Sequence, residues 1–495
     1  MVVDCDVDGF TSAAIMWHYI KSIAPSQRIS YILHEHKEHG LQDHTQNIID
    51  GSEYYDLIIL PDSSSNDYEY HEALKEHGIK CLVLDHHEID DDQPISENAI
   101  IINNQLSKDY PNKELTGAGV AWQFCRCHEN NRSTNYANNL IDLAALGVCG
   151  DMGSVLDLEN RYIMLKGFSN VKNYFFQCAI EKQSYSMNDE VTPISVAFYI
   201  VPMMNAMIRV GSMDEKERLF LALIDGHKRV SCNKRGAKGT TEEVAIESLR
   251  ECTNAKAKQN RITDQIVSEL EQKIFKYDLL ENKILFVRLD DDEDYPSEIN
   301  GLCAMKLAAK YKRPTILARL NDEGYDRGSI RNVSDCELQD LKKFLNDSGY
   351  FEWVQGHANA AGCSIEDKNL RPFHEYANET LKNINFNEGM YNVNFIREPN
   401  AKDLEDLVYD LASNTSIWGQ GNPEALISVP NIYLDTADYK VIGTNKDTVR
   451  FEKNGIIYIK FHASDLIEQL KNCNEIKISI VGKPNINEWM GQQSP

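Results

Sequence analysis

The sequence lacks several features that mark specialised classes of protein. It has no run of eighteen apolar residues, so no membrane span is expected. Its first residues, MVVDCDVDG, contain neither the basic region nor the apolar stretch of a secretory signal. A cytoplasmic location therefore follows by default. It also has no internal repeat and no low-complexity tract, and its 495 residues exceed one ordinary core, which predicts roughly two to four domains.

The chain has no CxxC pair, although it contains 12 cysteines. The closest pair is Cys125 and Cys127, and the others stand singly. A zinc ribbon is therefore disfavoured, and a disulfide framework is implausible in a chain of this length. We expect buried, reduced thiols.

Positive charge is scarce as well. Lys and Arg number 51 against 76 Asp and Glu, which gives a net charge of −25. This balance argues against a broad nucleic-acid-binding surface. It leaves room for a narrow basic channel, and it fits a protein that gathers carboxylates around metal ions. One basic stretch, residues 231–240 with Lys234, Arg235 and Lys238, is expected to be a mobile loop.

Strands and helices alternate along roughly the first 150 residues, which predicts a parallel sheet with helices on both faces. The predicted elements are a helix over 11–23 and strands over 55–60, 81–84 and 99–102. Acidic residues follow these strands directly. Ligands of such sheets bind at the carboxyl ends of the strands, so these acidic residues are candidates for a site.

The remainder of the chain divides into three further regions. Residues from about 190 to 280 are predicted to be helical, with a long helix over 242–274. A second α/β region follows, with strands over 283–289 and 314–319 and a helix over 299–311. From about residue 390, short strands such as 424–429 and 456–461 predict a small β-domain, with a barrel as one form. The first strand spans only residues 1–3 and the chain stops at Pro495, so truncation at both ends is expected.

The first group of candidate ligands is Asp4, Asp6 and Asp8, which alternate up to Gly9. Alternation along the end of a strand would aim them at one side, and a turn at Gly9 would let them converge on a cation. Oxygen and nitrogen ligands suit Mg²⁺ or Mn²⁺. A calcium-type loop or a helix N-cap is the alternative.

Three more signals follow at predicted strand or helix ends. Asp62 stands at a strand tip, where a lone Asp is usually a helix cap or a turn residue. Asp85, His86 and His87 follow the next strand, and a purely structural His pair there would need several hydrogen bonds. Asp151 lies in GVCGDMG, residues 147–153, which is either a route into the same cluster or a helix C-cap and turn.

In order and spacing, DxDxDG, a strand-tip Asp, DHH and GD resemble the four motifs of the DHH phosphoesterases. The resemblance implies a site for two Mn²⁺ or Mg²⁺ ions. Its implied metal ligands are Asp4, Asp6, Asp8, Asp62, His86 and Asp151, and its implied catalytic residues are Asp85, His86, His87 and Asp151, with Asp85 and His87 orienting ligands or facing the substrate. Two such cations can activate a water and neutralise a phosphate.

Two segments resemble the DHHA1 substrate domain of this superfamily, and two further segments resemble the RecJ-like exonucleases within it. GHANAAG, residues 356–362, resembles the GGHxxAxG motif of the DHHA1 domain with Gln355 in place of the first Gly, and RGSIR, residues 327–331, resembles its phosphate-holding GSxR segment. PMMNAMIR, residues 202–209, resembles PRxNAxGR with Met203 and Ile208 as departures. WGQGNPE, residues 418–424, resembles the opening of the RecJ OB domain. The implied substrate-binding residues are Arg331, Ser329, Gly356, His357, Asn359, Asn205, Arg209 and Trp418. For His357 a core histidine is the alternative, and for Trp418 a buried anchor.

The resemblance covers nearly the whole chain and implies four domains. These are a parallel-sheet DHH domain over 1–190, a helical connector over 191–280, a DHHA1 α/β domain over 281–388 and an OB-like β-domain over 389–495. It implies an exonuclease that hydrolyses single-stranded DNA from 5′ to 3′ and releases mononucleotides. A phosphodiesterase of short oligonucleotides or cyclic dinucleotides is one alternative, and a non-catalytic binding protein is another. Single-stranded DNA is the expected partner, with a single-strand-binding protein or a helicase as candidate protein partners and no membrane.

One histidine cluster stands outside these motifs. His34, His36, His39 and His44 fall within LHEHKEHGLQDH. A second metal site is conceivable, and a solvated polar loop beside the active site is favoured over it.

Overall fold

The computed structural model describes residues 1–36, 38–89, 93–130, 132–237, 239–290, 295–334, 336–386, 391–435, 437–473, 475–489 and 492–494. Lys238 and the predicted domain boundary between residues 388 and 389 lie outside these ranges. The chain forms two compact units. One comprises Met1–Gly153, Asp157–Val191 and Ser195–Met390, and the other comprises Ser154–Leu156, Thr192–Ile194 and Tyr391–Pro495.

The N-terminal region of the first unit is built on parallel strands. Its elements are β1 (Val2–Val3), α1 (Val7–Ile23), β2 (Ile32–Leu33), α2 (Thr45–Asp50), β3 (Leu57–Pro61), α3 (Tyr68–Glu76), β4 (Lys80–Asp85), β5 (Ala99–Asn103), α4 (Gly117–Glu129), α5 (Ile141–Gly150), α6 (Leu158–Ser169) and α7 (Tyr174–Gln183). β3, β4 and β5 pair in parallel in chain order, and β1 pairs in parallel with β2. The predicted parallel sheet is confirmed.

Alternation of side chains explains how this sheet is buried. Ile58, Leu60, Cys81 and Val83 point to one face and pack with apolar residues of α2 and α3. α1 and α4 contact the sheet at β3 and β4. The carboxyl ends of the strands stay clear of this core, so polar residues can be placed there.

The structure corrects the predicted start of α1. The helix begins at Val7 rather than at residue 11, because Asp6 caps it by accepting a hydrogen bond from the Gly9 backbone N–H at 3.0 Å. Asp4, Asp6 and Asp8 therefore do not alternate along a strand. Asp4 follows β1, Asp6 is the cap and Asp8 lies in the first helical turn.

The connector is helical, as predicted, with one β-hairpin inserted. It contains α8 (Pro193–Ser195), a π-helical turn (Val196–Ile200), α9 (Val201–Val210), α10 (Met213–Ile224), β6 (Arg229–Ser231), β7 (Thr241–Glu243) and α11 (Val244–Lys276). The basic stretch that was predicted to be a loop connects β6 to β7 in this antiparallel hairpin. α11 has 33 residues, or about 50 Å of helix, and its second half packs through Ile266, Leu270 and Ile274 into the next core.

One helical segment of the described chain has the length and composition of a membrane span. Pro193–Val210 has 18 residues with a mean hydropathy of 1.4, and 56% of it is buried within the protein. By itself such a segment is weak evidence for a membrane, since a buried core helix meets the same criteria.

The second α/β region completes the first unit. Its elements are β8 (Leu285–Leu289), α12 (Asn300–Tyr311), β9 (Thr315–Leu320), β10 (Tyr325–Arg331), α13 (Leu341–Asp347), β11 (Phe351–His357), β12 (Ala360–Glu366) and α14 (Asp367–Thr380). The five strands form one sheet in the order β11-β12-β10-β9-β8, in which only the β8–β9 pair is parallel. In this register Arg331 pairs with Ala360, which pairs with His357. Arg331 and His357 therefore lie at the same end of the sheet, at the tips of β10 and β11.

The second unit is rich in β-structure, as predicted. It contains β13 (Phe395–Ile396), α15 (Leu404–Ser413), β14 (Ile427–Asp435), β15 (Tyr439–Ile442), β16 (Thr448–Lys453), β17 (Ile456–Lys460), α16 (Ser464–Asn472), β18 (Glu475–Gly482), β19 (Asn487–Trp489) and β20 (Gln492–Ser494). The sheets β13-β14-β18 and β15-β16-β17 share one core with both helices. The strand expected over 424–429 begins later, at Ile427, and continues to Asp435.

The expectation for the cysteines is confirmed in the described residues. Among the described residues, ten of the thiols are buried and none forms a disulfide, while Cys127 and Cys473 are exposed. The thiols of the interior therefore act as small apolar side chains.

Candidate metal centre

Five carboxylates and one imidazole converge at the carboxyl ends of the N-terminal strands. Ligand atoms of Asp4, Asp6 and Asp62 lie within 4.8 Å of one another, as do those of Asp8, His86 and Asp151. His86 links the two groups, because its Nε2 lies 3.2 Å from Asp62 Oδ1 and 3.6 Å from Asp151 Oδ2. The structure thus brings together all six residues predicted as metal ligands. We call Asp4, Asp6, Asp8, Asp62, His86 and Asp151 the carboxylate cluster.

Local backbone geometry places each member of the cluster. Asp62 follows β3 with φ of 71°, a left-handed conformation that Asp tolerates better than most residues, and its N–H donates to Leu84 O at 2.8 Å. Asp151 is the C-cap of α5 and also lies in the carboxylate cluster, so the two alternatives that the sequence offered for this residue are both correct. Gly117 leaves room for the cluster, since a Cβ there would overlap the Asp62 side chain.

Asp8 also anchors the start of α4. It is 1% exposed, and it accepts hydrogen bonds from Thr116 Oγ1 at 2.9 Å, Gly117 N at 2.6 Å and Ala118 N at 3.0 Å. These donors form the start of α4, whose positive dipole end favours a carboxylate. Asp8 therefore fixes α4 against α1 and holds its own carboxylate in place.

The electrostatics of the cluster are those of a cation site. Burial, followed by the charges of Asp8 and Asp6, raises the pKa of Asp151 to about 8. Burial also raises the pKa of Asp8 to about 6 and the pKa of Asp62 well above its usual value. Buried carboxylates this close together repel each other unless a cation or protons neutralise them.

Two buried oxygens identify where a cation would fit. Asp4 Oδ1 and Asp62 Oδ1 are buried and accept no hydrogen bond from the residues that the structure describes. A buried acceptor without a donor is costly, and a metal ion removes that cost. The donor set of carboxylate oxygens with an imidazole nitrogen fits Mn²⁺ or Mg²⁺.

Asp85 organises the cluster from behind. It is 1% exposed, and its Oδ1 accepts from His86 N at 2.7 Å and from His87 Nδ1 at 2.8 Å, while its Oδ2 accepts from Ser65 N at 2.9 Å. Although burial opposes the charge, the hydrogen bond from His87 keeps the pKa of Asp85 below its usual range. Asp85 thus fixes the backbone on which His86 is carried.

We expect Asp85→Asn to lower the rate of hydrolysis about 10–100-fold, because supporting residues of metal sites carry effects of that size. The amide would place an NH₂ group against donors that need an acceptor. Steady-state kinetics with Mn²⁺ and a single-stranded oligonucleotide measure the effect.

Asp142→Asn is the matched control for that variant. Asp142 is also 1% exposed and also accepts two backbone N–H groups, from Lys172 and Asn173, but it lies outside the cluster. It should lose stability and keep its activity per folded molecule. Equal losses of activity in both variants would show that Asp85 has no specific role at the metal site.

The four histidines of the separate cluster have different surroundings. His39 Nδ1 lies 2.7 Å from Asp4 Oδ2, a contact that raises the pKa of His39 to about 11. His34 and His44 are buried and their ring nitrogens lie 3.0 Å apart. His36 is exposed and lies 3.9 Å from Glu298. The prediction of a solvated loop is therefore wrong for His34 and His44, and His39 is a member of the site surroundings that the motifs did not reveal.

A second group of predicted residues lies in the second α/β region and the connector. The imidazole of His357 is exposed at the end of β11, and its charge is among those that lower the pKa of His86, after burial and His87. The guanidinium of Arg331 lies against Gly301, where a Cβ would overlap it. We call Arg331 and His357 the facing wall. Ser329 lies on β10 two residues before Arg331, and Gly356 precedes His357 with φ of 125°.

The connector adds charge and an amide to this wall. Asn205 and Arg209 are four residues apart on α9 and so share a face of it. Burial and then the charge of Arg209 lower the pKa of Arg331, and burial and Arg209 also lower the pKa of Lys256. Lys256, on α11, is a third cation here that no motif indicated. Asn205 Oδ1 is buried and accepts no hydrogen bond from the described part of the chain.

Two predicted substrate-binding residues use their polar atoms inside the protein. The amide of Asn359 donates to Gln339 O at 2.9 Å and accepts from Asn332 at 2.7 Å, so it braces the turn beside His357. In the second unit, Trp418 is half-buried and its Nε1 donates to Leu411 O at 3.4 Å. This contact favours an anchoring role for Trp418 over a stacking role.

Comparison with known proteins agrees with this geometry. The model of the DHH family N-terminal domain matches residues 1–148, and that of the RecJ OB domain matches residues 398–495. A protein named as the single-strand DNA-specific exonuclease YorK, from the SPbeta prophage of Bacillus subtilis, is 38% identical across 100% of this chain and 85% of its own length. The chain belongs to the RecJ family of DHH proteins.

Other members of the RecJ family are more distant in sequence and share the fold. RecJ of Bacillus subtilis is 25% identical, over 99% of this chain and 59% of its own length. The crystal structure of Thermus thermophilus RecJ in complex with Mn²⁺ superposes with a TM-score of 0.73 at 18% identity, covering 100% of this chain and 67% of that one. The predicted α/β architecture with a C-terminal OB domain is confirmed.

Proposed function

We propose that the chain is a metal-dependent exonuclease that hydrolyses phosphodiester bonds of single-stranded DNA from the 5′ end and releases mononucleotides. The observation that carries this proposal is the convergence of the carboxylate cluster, with His357 of the facing wall close enough for its charge to act on His86. Membership of the RecJ family supports the substrate. We further propose a cytoplasmic location, with a single-strand-binding protein or a helicase as protein partner.

The carboxylate cluster would hold two Mn²⁺ or Mg²⁺ ions. Asp4, Asp6, Asp62, His86 and Asp151 supply free donor atoms, and Asp8 supplies the remaining lone pairs of a carboxylate already anchored by α4. Two bound cations supply activation of water and neutralisation of charge on the phosphate and the leaving oxygen.

The protein's own residues would hold the substrate. Arg331 presents five N–H donors in a fixed plane, of which Nη1 donates to Ile330 O at 2.7 Å, and the others can bind a phosphate. His357 would hold the same phosphate from the neighbouring strand. Asp85 and His87 would orient His86, and Arg209 would add positive charge along the path of the strand.

One assay separates this proposal from its alternatives. The protein is incubated with Mn²⁺ and either a long single strand, a dinucleotide or a duplex, with the label on the 5′ or the 3′ end. Release of mononucleotides from the labelled 5′ end of the long strand alone is the expected result. Cleavage restricted to dinucleotides or cyclic dinucleotides would favour the phosphodiesterase, and binding without cleavage would favour the non-catalytic protein.

The second unit offers an exposed aromatic side chain for a base to stack on. Phe461 follows β17 and is 68% exposed. Because stacking contributes about 1–3 kcal/mol per base, Phe461→Ala should raise KM for a long strand at least about fivefold. KM for a dinucleotide should not change, since so short a substrate reaches few contacts. Parallel KM measurements on both substrates check this.

Tyr54→Ala serves as the control for Phe461→Ala. Tyr54 is 75% exposed and precedes β3, at the end of the sheet opposite the carboxylate cluster. It should leave both KM values unchanged. A rise in KM for the dinucleotide in Phe461→Ala would show a general structural defect instead.

A further inference from the structure

The second α/β region contains a basic pocket separate from the facing wall. Its cavity has a volume of about 160 Å³, and no carboxylate is among the described residues that line it. The polar side chains of the lining are Lys283, Lys312, Arg313, Lys382, Asn383 and Asn385. Four cations therefore surround one small cavity in a chain whose net charge is −25.

The fold brings these cations together from three segments. Lys283 precedes β8 and Arg313 precedes β9, and these two strands are parallel neighbours, so both residues lie at the same edge of the sheet. Lys312 ends α12, and Lys382 follows α14. The pocket is thus a property of the tertiary structure and not of one basic run in the sequence.

Local hydrogen bonds hold two of the cations toward the cavity. Lys283 Nζ donates to Ile384 O at 2.8 Å, and Arg313 Nη1 donates to Asn282 O at 2.8 Å. An ammonium has three donors and a guanidinium has five, so each group keeps further donors. The C-terminus of a helix attracts cations, which accounts for Lys312 after α12 and Lys382 after α14. It does not account for four cations around one cavity.

The balance of charge at the pocket indicates an anion. Glu379, which is exposed on α14, pairs with Lys382. Burial lowers the pKa of Arg313, as expected of a cation without a carboxylate partner. The cations around this small cavity repel each other, and a bound anion would offset this repulsion because it is attracted to each of them. Lysine, arginine and amide donors form the set that binds phosphate groups.

We propose that this pocket binds the phosphate group of a nucleotide, either within a DNA strand or free in solution. The version in which the phosphate belongs to a DNA strand rests on the proposed function. Gly301, which contacts Arg331, lies at the start of α12, and Lys312 directly follows the end of this helix, eleven residues or about 16 Å further along the helix axis. A stacked strand advances 3.4 Å per nucleotide, so about five nucleotides span this distance. A strand that is cleaved at the facing wall can therefore reach the pocket.

The test compares two double variants of the full chain. Lys312→Gln with Lys382→Gln removes two exposed cations of the pocket. Lys310→Gln with Lys343→Gln removes two exposed cations outside it, each of which pairs with a carboxylate as Lys382 does. Binding of a long thymidylate strand is measured in EDTA across a range of salt concentrations, and binding of thymidine monophosphate is measured by calorimetry.

The strand arm has a quantitative expectation. For single strands, each cation in contact with a phosphate contributes about 0.7 to the slope of log K against log salt concentration. The pocket variant should therefore lose up to about 1.4 in slope while the control keeps the slope of the wild type. Loss of thymidine monophosphate binding in the pocket variant with an unchanged strand slope would identify a free nucleotide as the ligand instead.

The proposal fails if the pocket variant matches the control in both arms. If the wild type neither binds nor cleaves single strands, the proposed function fails, and the thymidine monophosphate arm still decides whether the pocket binds phosphate. The two failures are thus distinguishable.

Discussion

Replacing His86 by alanine is expected to lower the rate of single-strand hydrolysis by more than about a hundredfold in saturating Mn²⁺. Residues that merely support a metal ligand carry effects of about 10–100-fold, and a shared ligand should exceed them. His86 lies within reach of both halves of the carboxylate cluster, with Asp62 on one side and Asp151 on the other. Rates with a labelled single strand, and a circular dichroism spectrum to verify folding, measure the effect.

His77→Ala provides the reference for that experiment. His77 is exposed at the C-terminal end of α3, in the same region of the fold, and lies outside the cluster. It should retain the activity of the wild type. Full activity of His86→Ala after addition of Mn²⁺ would overturn the assignment of the cluster as the metal site.

Arg331→Ala is expected to reduce the rate about 10²–10³-fold while leaving Mn²⁺ binding intact. Loss of one donor to a developing charge in an enzyme site has an effect of that size. The guanidinium lies against Gly301 and contributes nothing to the carboxylate cluster, so metal affinity should not depend on it. His357→Ala should behave in the same way. Isothermal titration with Mn²⁺ and steady-state kinetics separate the two quantities.

Arg327→Ala controls for the loss of an arginine from β10. Arg327 is on the same strand and pairs with the exposed Glu323. Its activity should be that of the wild type. Loss of Mn²⁺ binding in Arg331→Ala would mean that the wall and the cluster had been given the wrong roles.

The sheet and the strand-tip residues could be predicted because their signals are local. The apolar runs before Asp62 and Asp85 identify buried strands, and parallel strands bring their carboxyl ends to one edge. The sequence also contained a local signal that was misread. Asp6 is the N-cap of α1, which is the alternative that this motif left open, and the predicted alternation along a strand was wrong.

Contacts between residues far apart in the chain could not be predicted. His39 approaches Asp4, and Lys256 joins Arg209 and Arg331, only because helices and loops of different segments pack together. Asn359 and Trp418 matched their motifs, yet their polar atoms are bonded within the protein. A motif identifies a position, and only packing shows what its side chain contacts. The roles of the individual site residues stay predictions until the variants are measured.

The composition of the second compact unit has a consequence for synthesis. Ser154–Leu156 and Thr192–Ile194 belong to it, although roughly two hundred residues separate them from Tyr391. In a chain made from its N-terminus, these segments emerge long before the strands that cover them, including the stretch at Gln420 whose carbonyl bonds Val155. Such distant pairing is slow to form. A nascent or prematurely ended chain would therefore carry uncovered apolar surface at Val155, and its yield of soluble protein should depend on chaperones more than that of the completed chain.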